Sequence, residues 1–326
     1  MKFAINILQS QHGGQDERVI IRQAVEQAQL AEALGFHAVW MTEQHFNDFG
    51  ICPDPLTFAA HLAGVTKTIR LGTGVVVLSI HNPLEVAERG ALVDQLSDGR
   101  LDLGIGKGHP RQNYGAFNVR PEENELRFYE SLDVIRRAWT EPELSLNGRF
   151  FRGGNIRLVP RPAQVPHPPI WIATFGNPSV VQFAARQGYP LLHASSGDGL
   201  SQNLALYRAE FVGPGAPEFS LMRMVYVCED GGRARQEMLS PTRWYVDHNP
   251  GRPEKILSYD LAVSEMMSKF GIVGSPQDCI DAIRGLRDSH GIEYLMCVFG
   301  PGGVPHENIL ASMRLFAEKV MPEFEA

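Results

Sequence analysis

Only four cysteines are spread over the 326 residues, Cys52, Cys228, Cys279 and Cys297, and no Cys-x-x-Cys pair occurs among them. Such spacing suggests neither a zinc ribbon nor a disulfide framework, and a reducing cytoplasm fits it best. Basic runs are missing as well. With a formal charge of −7 and a pI near 5.9, the chain has no broad cluster of Lys and Arg for nucleic acid or an anionic membrane. No uninterrupted apolar stretch reaches the roughly 18 residues needed to span a bilayer. The opening run from Met1 to Leu8 is too short for the core of a secretion signal and reads as a first buried strand. A soluble, cytoplasmic protein is expected.

What is present is core-forming material: 44% hydrophobic and 21% charged residues, an ordinary balance for a large buried interior. Short apolar runs alternate with stretches of helical period, as repeated βα units do around a parallel sheet. A strand at 2–8 leads to a helix at 17–34, with Ile20, Ala24, Ala28 and Ala31 on one face and Gly35 as its stop. Strand 37–41, a helix near 55–66 and an unbroken strand at 71–78 follow; Asn82-Pro83 then caps and opens another helix. Further strands are expected at 101–106, 169–173, 191–193, 221–227 and 294–299. Eight strands with intervening helices predict a closed (β/α)8 TIM barrel with insertions, one domain over residues 1–326. Residues 144–168, with Asn147-Gly148 and a proline cluster, read as a hairpin and linker inserted into it. Residues 240–262 fall outside the alternation and read either as a mobile cover over the active face or as a surface connection.

In a parallel barrel the chemistry sits at the C-terminal ends of the strands. Of eleven histidines, His45, His81, His109 and His193 fall there. Three of them with Glu43 have the donor types of a zinc or iron site, but no His-x-His pair or His-Glu-x-x-His helix fixes a geometry, and no metal is expected. After strand five comes Thr174-Phe175-Gly176-Asn177-Pro178-Ser179. Asn177 suits an N-cap, Pro178 the first helical position, and Gly176 a close backbone approach. Free amides at this helix start, with the Ser179 hydroxyl, form an anion cradle; capping alone accounts for the Asn and Pro equally well. Lys107, in Gly106-Lys107-Gly108, is either the countercharge or a solvated lysine.

With these residues in place, nearly the whole chain resembles the bacterial luciferase-like monooxygenases. The resemblance is carried by Gly35-Phe36-His37-Ala38-Val39-Trp40 running into Glu43-Gln44-His45-Phe46, and by Leu71-Gly72-Thr73-Gly74-Val75. It continues in the stretch from Leu92 to Asp98-Gly99-Arg100, in Gly274-Ser275-Pro276-Gln277-Asp278, and in the ending Ala311-Ser312-Met313-Arg314-Leu315-Phe316. It implies a homodimeric enzyme that takes reduced FMN (FMNH2) from a separate NAD(P)H:flavin reductase, lets it react with O2 to a C4a-hydroperoxyflavin, and oxygenates a small apolar organic substrate. It also implies that Thr73, Gly74 and Val75 underlie the isoalloxazine ring, with a non-prolyl cis bond at Gly74-Val75. Lys107, Gly176, Asn177 and Ser179 would hold the phosphate, with His193 beside the cofactor. The catalytic set would be Glu43, Gln44 and His45, and Phe46, Phe49 and His109 would line the substrate pocket.

Two departures bear on that reading. Gln44 stands where the luciferase α chain has the first of two adjacent histidines, so proton transfer there does not carry over. Gly106 stands where luciferase has a reactive cysteine beside its flavin, and light emission is not inferred. Two other functions use the same scaffold: hydride transfer with a flavin or the deazaflavin F420, and flavin binding by a non-catalytic subunit.

Overall fold

In chain order, the expected apolar runs become the staves of a barrel. The structure is a computed structural model describing residues 1–109, 114–249 and 258–325. Its first half comprises β1 (Lys2–Ile7), α1 (Glu17–Ala33), β2 (Ala38–Met41), α2 (Pro55–Val65), β3 (Arg70–Thr73), β4 (Val76–Val77), α3 (Pro83–Leu96), β5 (Leu101–Gly106) and α4 (Asn124–Thr140). There follow β6 (Leu144–Asn147), β7 (Arg152–Ile156), β8 (Ile170–Thr174), α5 (Pro178–Gln187), β9 (Leu191–His193), α6 (Gly197–Glu210) and β10 (Phe219–Val227). The last part holds α7 (Gly231–Glu237), α8 (Leu239–His248), α9 (Tyr259–Phe270), β11 (Gly271–Gly274), α10 (Pro276–His290), β12 (Tyr294–Val298) and α11 (His306–Lys319).

All pairings around the ring are parallel. They run β1–β2–β3–β5–β8–β9–β10–β12 and close through β12 on β1, where Ala4 faces Met296. This is a closed (β/α)8 barrel. Residues 144–156 form the antiparallel β6–β7 hairpin beside it. Among the described residues, no helix is long and apolar enough to cross a membrane.

Two strand expectations need correction. The unbroken strand at 71–78 is interrupted: β3 ends at Thr73, a cis peptide joins Gly74 to Val75, and β4 pairs only with β5. Gly74 N–H donates to the Met41 carbonyl at 2.7 Å and Val77 N–H to the Glu43 carboxylate at 2.9 Å, so the ladder there is exchanged for bonds to the β2 edge. The second correction is β11, an unexpected ninth stave lying along the C-terminal half of β10, where Val225 faces Ile272. Four residues abutting α9 without a turn signal leave no period to read.

The barrel interior is plugged by Trp40, Trp171 and Tyr294 among Ala4, Ala38, Leu192 and Met296. Trp40 is fully buried and donates from Nε1 to the Tyr294 hydroxyl at 2.9 Å. Gly72 is required beneath it, because a Cβ there would lie 2.3 Å from the indole. Burying a side chain of this size contributes about 5 kcal/mol and makes a rigid floor for the mouth above. Outside the strands the helices cover a second layer; α1 buries Ile20, Ala24, Ala28 and Ala31, the face its period predicts.

Over part of the mouth, Tyr245 and Trp244 of α8 pack on Phe49, with ring centroids 5.1 and 6.3 Å away, above Leu8, Met224 and Val298. Residues 240–248 of the irregular segment are thus a helix laid across the β10–β12–β1 side. Residues 250–257 of that segment lie outside the described residues. Phe49 is buried beneath α8.

Candidate active site

Glu43 follows β2 and its side chain is fully buried. Its Oε1 lies 2.7 Å from His45 Nε2 and 2.9 Å from His81 Nε2, while Oε2 accepts from Val77 N–H. Burial alone would raise this carboxyl, but the hydrogen bonds from His45, His81 and Val77 outweigh it and hold it below the usual range. An anionic Glu43 accepts a ring N–H from both histidines, so each carries a ring proton on Nε2 and turns Nδ1 away from the carboxylate. The three ligand atoms are close enough to hold a metal. As hydrogen-bonded, the carboxylate has a donor on each oxygen.

The sequence placed His81 after strand three, among the histidines weighed with Glu43 as metal donors, but not in the catalytic set; its position beside Glu43 comes from the 3-10 turn at Leu78–Ile80 that follows β4. Gln44 takes no part in this network. Its N–H donates to the Cys52 carbonyl, its Oε1 accepts from Asn47, and its stem packs against Gly50. Phe46, with φ 58°, is 73% exposed, and Phe117 closes against both it and His45, 4.8 Å from the imidazole centroid. These two rings give the mouth an apolar rim beside His45. His109 lies just after β5, partly buried.

Beside this group is the cis Gly74-Val75 peptide, at the bond the resemblance points to. Thr73 is fully buried and its hydroxyl donates to the Gly104 carbonyl at 2.7 Å, so its side chain is turned into the barrel wall. The Val75 side chain rests against Gly106.

On the far side, Gly176 adopts φ 102° and Asn177 caps α5. The expectation of free amides is corrected here. Gly176 and Asn177 N–H both donate to Thr174 Oγ1, and Ser179 donates to Asn177 Oδ1 from both its N–H and its hydroxyl. The helix start is exposed and pre-shaped by its own side chains, which an incoming anion would displace. Lys107 is ion-paired with Glu125 and lies 5.3 Å from the Tyr129 ring centroid, and Tyr129 in turn packs on Phe183 of α5 at 4.6 Å. The cation is thereby held near α5. Glu125 and Tyr129 were not legible as site residues, since nothing in α4 marks them apart from other polar helix positions.

His193 does not face the mouth. It is buried against α6, where Nδ1 accepts from Ser195 N–H at 3.1 Å and Nε2 lies 3.2 Å from Asn203 Nδ2, which donates to the Gly176 carbonyl. Burial, then the nearby Arg223 charge, lowers its pKa to about 4, so it is neutral. It braces the Gly176 turn from behind. Arg223, itself buried, donates to the Ser195 carbonyl and completes that brace.

The family model described as luciferase-like monooxygenase matches residues 1–292. The chain belongs to the luciferase-like monooxygenase family. It is an enzyme of the flavin-dependent monooxygenase class. The oxygenase component of the flavin-dependent trigonelline monooxygenase of Acinetobacter baylyi is 28% identical, covering 95% of this chain and 91% of that one. Among solved structures, monooxygenase RslO1 of Streptomyces bottropensis superposes with a TM-score of 0.88 at 31% identity over 100% of both chains. An F420-dependent secondary alcohol dehydrogenase shares the fold alone, with a TM-score of 0.79 at 16% identity over 100% of this chain and 99% of that one. Within this luciferase-like monooxygenase, the residues that differ from the luciferase α pattern, Gln44 and Gly106, both sit at the mouth.

Proposed function

We propose that the protein is the oxygenase component of a two-component system, taking FMNH2 from a separate NAD(P)H-dependent flavin reductase and transferring one atom of O2 to a small apolar substrate. The observation that carries this reading is the buried Glu43–His45–His81 group at the C-terminal mouth of the barrel. Reduced FMN supplies the electrons that activate O2, one oxygen atom going to the substrate and the other to water. Lys107, Gly176, Asn177 and Ser179 would hold its phosphate, and the fit rests on an exposed capped helix start beside a cation. Thr73, Gly74 and Val75 would seat the ring by their backbone and by the Val75 side chain. His193 acts one layer behind, through Asn203 and the Gly176 carbonyl.

Glu43 fixes the tautomers of both histidines. His45, against the apolar Phe46 and Phe117 rings, moves a proton at Nδ1 while Nε2 stays bound to the carboxylate. The His45 side chain is itself largely buried, which limits the access of water to that proton. His109 and Phe46 border the substrate entrance, and Phe49 supports it by carrying α8.

The name of the trigonelline relative, an oxygenase component, supports a separate reductase. Leu92 and Leu96 of α3 are about half exposed, and Val65 of the neighbouring α2 is also exposed; these side chains support a homodimer formed through these helices. Four free cysteines support a reducing cytoplasm.

The test is rapid mixing of the protein, loaded with photoreduced FMN, against oxygenated buffer. A delayed return of oxidised-flavin absorbance is expected. Immediate return with stoichiometric peroxide overturns the oxygenase reading. Reduced F420, offered with an aldehyde or ketone, tests hydride transfer on the same barrel.

A further inference from the structure

Two imidazoles and a carboxylate converge on one point at the barrel mouth. Glu43 and His45 come from the loop after β2, and His81 from the turn after β4. His45 Nε2 lies 2.7 Å and His81 Nε2 2.9 Å from the same oxygen, Glu43 Oε1, and no two of these three atoms are more than 4.8 Å apart. Among the described residues, no other three His, Cys, Asp or Glu donors come together in this way. The sequence offered these donor types without a geometry, and the fold supplies one. The second oxygen, Oε2, accepts from Val77 N–H at 2.9 Å, the kind of outer hydrogen bond that orients a ligating carboxylate.

Burial sets this group apart from a surface cluster. The Glu43 side chain is fully buried, and a buried carboxylate is normally matched by a cation or a metal ion. Among the described residues no Lys or Arg bonds to it; its partners are the two imidazoles and one amide. The side chains of His45 and His81 are 9% and 17% exposed, which leaves a hydrated ion an approach.

Donor type and spacing narrow the ion. A tetrahedral ion about 2.0–2.2 Å from each atom sets its ligands roughly 3.3 Å apart, so each Glu43–histidine distance has to open by about half an ångström, within reach of side-chain rotation. Two imidazole nitrogens with one carboxylate suit Zn2+ and its first-row neighbours, whereas Mg2+ and Ca2+ take oxygen ligands. On binding, each neutral imidazole exchanges its Nε2 proton for one on Nδ1 through solvent and gives the Nε2 lone pair to the ion. No proton is released net and no oxidation state changes.

We propose that Glu43, His45 and His81 form a binding site for one divalent transition ion of the Zn2+ type, with solvent completing its coordination. Binding rests on this geometry alone. Its consequence for turnover rests on the oxygenase reading: an ion on Nε2 of His45 holds a proton on Nδ1 and stops the proton movement assigned there, so Zn2+ inhibits.

The experiment uses the full chain, free of affinity tags, stripped with a chelator and without flavin, so that its outcome is independent of the reaction. Zn2+ is titrated by calorimetry and in competition with a chromophoric chelator, and Co2+ serves as a spectroscopic probe. One Zn2+ per chain is expected, with micromolar or tighter affinity, and added Zn2+ should remove the visible bands of bound Co2+. Loss of an outer partner alone costs a metal site about 10- to 100-fold, so losing a ligand in Glu43→Gln or His81→Ala is expected to weaken Zn2+ by about 100-fold or more. If Glu43→Gln fails to fold, His81→Ala gives the same reading, and X-ray absorption of the Zn2+-loaded unaltered protein should count two imidazole ligands. Binding unchanged in the variants places the ion elsewhere and overturns the site. Affinity no better than millimolar also overturns it and leaves a hydrogen-bonded group only. Mg2+ bound as tightly as Zn2+ overturns the transition-ion assignment. Zn2+ bound with the expected ligand dependence but without effect on turnover removes the proton role of His45 and leaves the metal site standing.

Discussion

A Cβ on Gly106 would lie 2.9 Å from Cγ2 of Val75, the residue just after the cis peptide. The space beside Gly106 is therefore already filled by the Val75 side chain. Val75 is β-branched and has few rotamers with which to retreat. Gly106→Ala is expected to cost about 1 kcal/mol in urea unfolding, by overpacking. In a Val75→Ala background the same change should be neutral or stabilising, a coupling that a double-mutant cycle reads directly. Additive costs would mean that the two side chains do not share this space.

Because one oxygen of Glu43 serves both His45 and His81, the three should behave as a unit. His45→Ala, His81→Ala and Glu43→Gln are each expected to cut product formed per FMNH2 by about 100-fold. The double variant His45→Ala/His81→Ala should lose little more than either single one, as acid–base groups acting together do. Rapid-mixing absorbance and released peroxide give the measurement; full activity of Glu43→Gln would remove the network from the mechanism.

Lys107 meets Glu125 in this structure, and a phosphate at the α5 start would compete for it. Lys107→Ala is expected to weaken FMN binding about tenfold, roughly 1.4 kcal/mol. Glu125→Gln should tighten it by releasing the cation. Fluorescence titration of both variants checks the pair, and a Glu125→Gln protein with weakened affinity would show that the carboxylate positions Lys107 instead of restraining it.

His193 ties the acid stability of the protein to the Gly176 turn. Its folded pKa is lowered to about 4 from 6.5, by burial first and by the Arg223 charge second. Between those values the unfolded chain binds more protons, so stability rises with pH from about 4 to about 6.5 and falls as the solution is acidified through that window. The whole shift corresponds to about 3 kcal/mol as an upper figure. His193→Asn is expected to flatten that limb in urea unfolding measured from pH 4.5 to 7. An unchanged slope would assign the acid sensitivity to other groups.

Where each element reports its own period, the chain reads correctly. The alanine face of α1, the Asn-Pro openings of α3 and α5 and the eight apolar runs are local facts, set by backbone and side-chain preferences within a few residues. Glu43, His45 and Lys107 were legible because barrel strands present their C-terminal ends to a common mouth. The break in strand three was not readable from pattern, because Val75-Val76-Val77 has the composition of a continuous strand and its interruption depends on bonds to Met41 and Glu43 from β2.

The same division holds at the site. Residue types and their order along the chain were enough to name the barrel, the family and most of the candidate side chains. Which atoms meet came from packing between elements far apart in sequence: His81 with Glu43, Lys107 with Glu125 and Tyr129, His193 behind Asn203 instead of in the mouth. A side chain's direction on a strand is local, but its partner depends on how neighbouring staves are staggered around a closed ring, and that stagger is a property of the whole barrel.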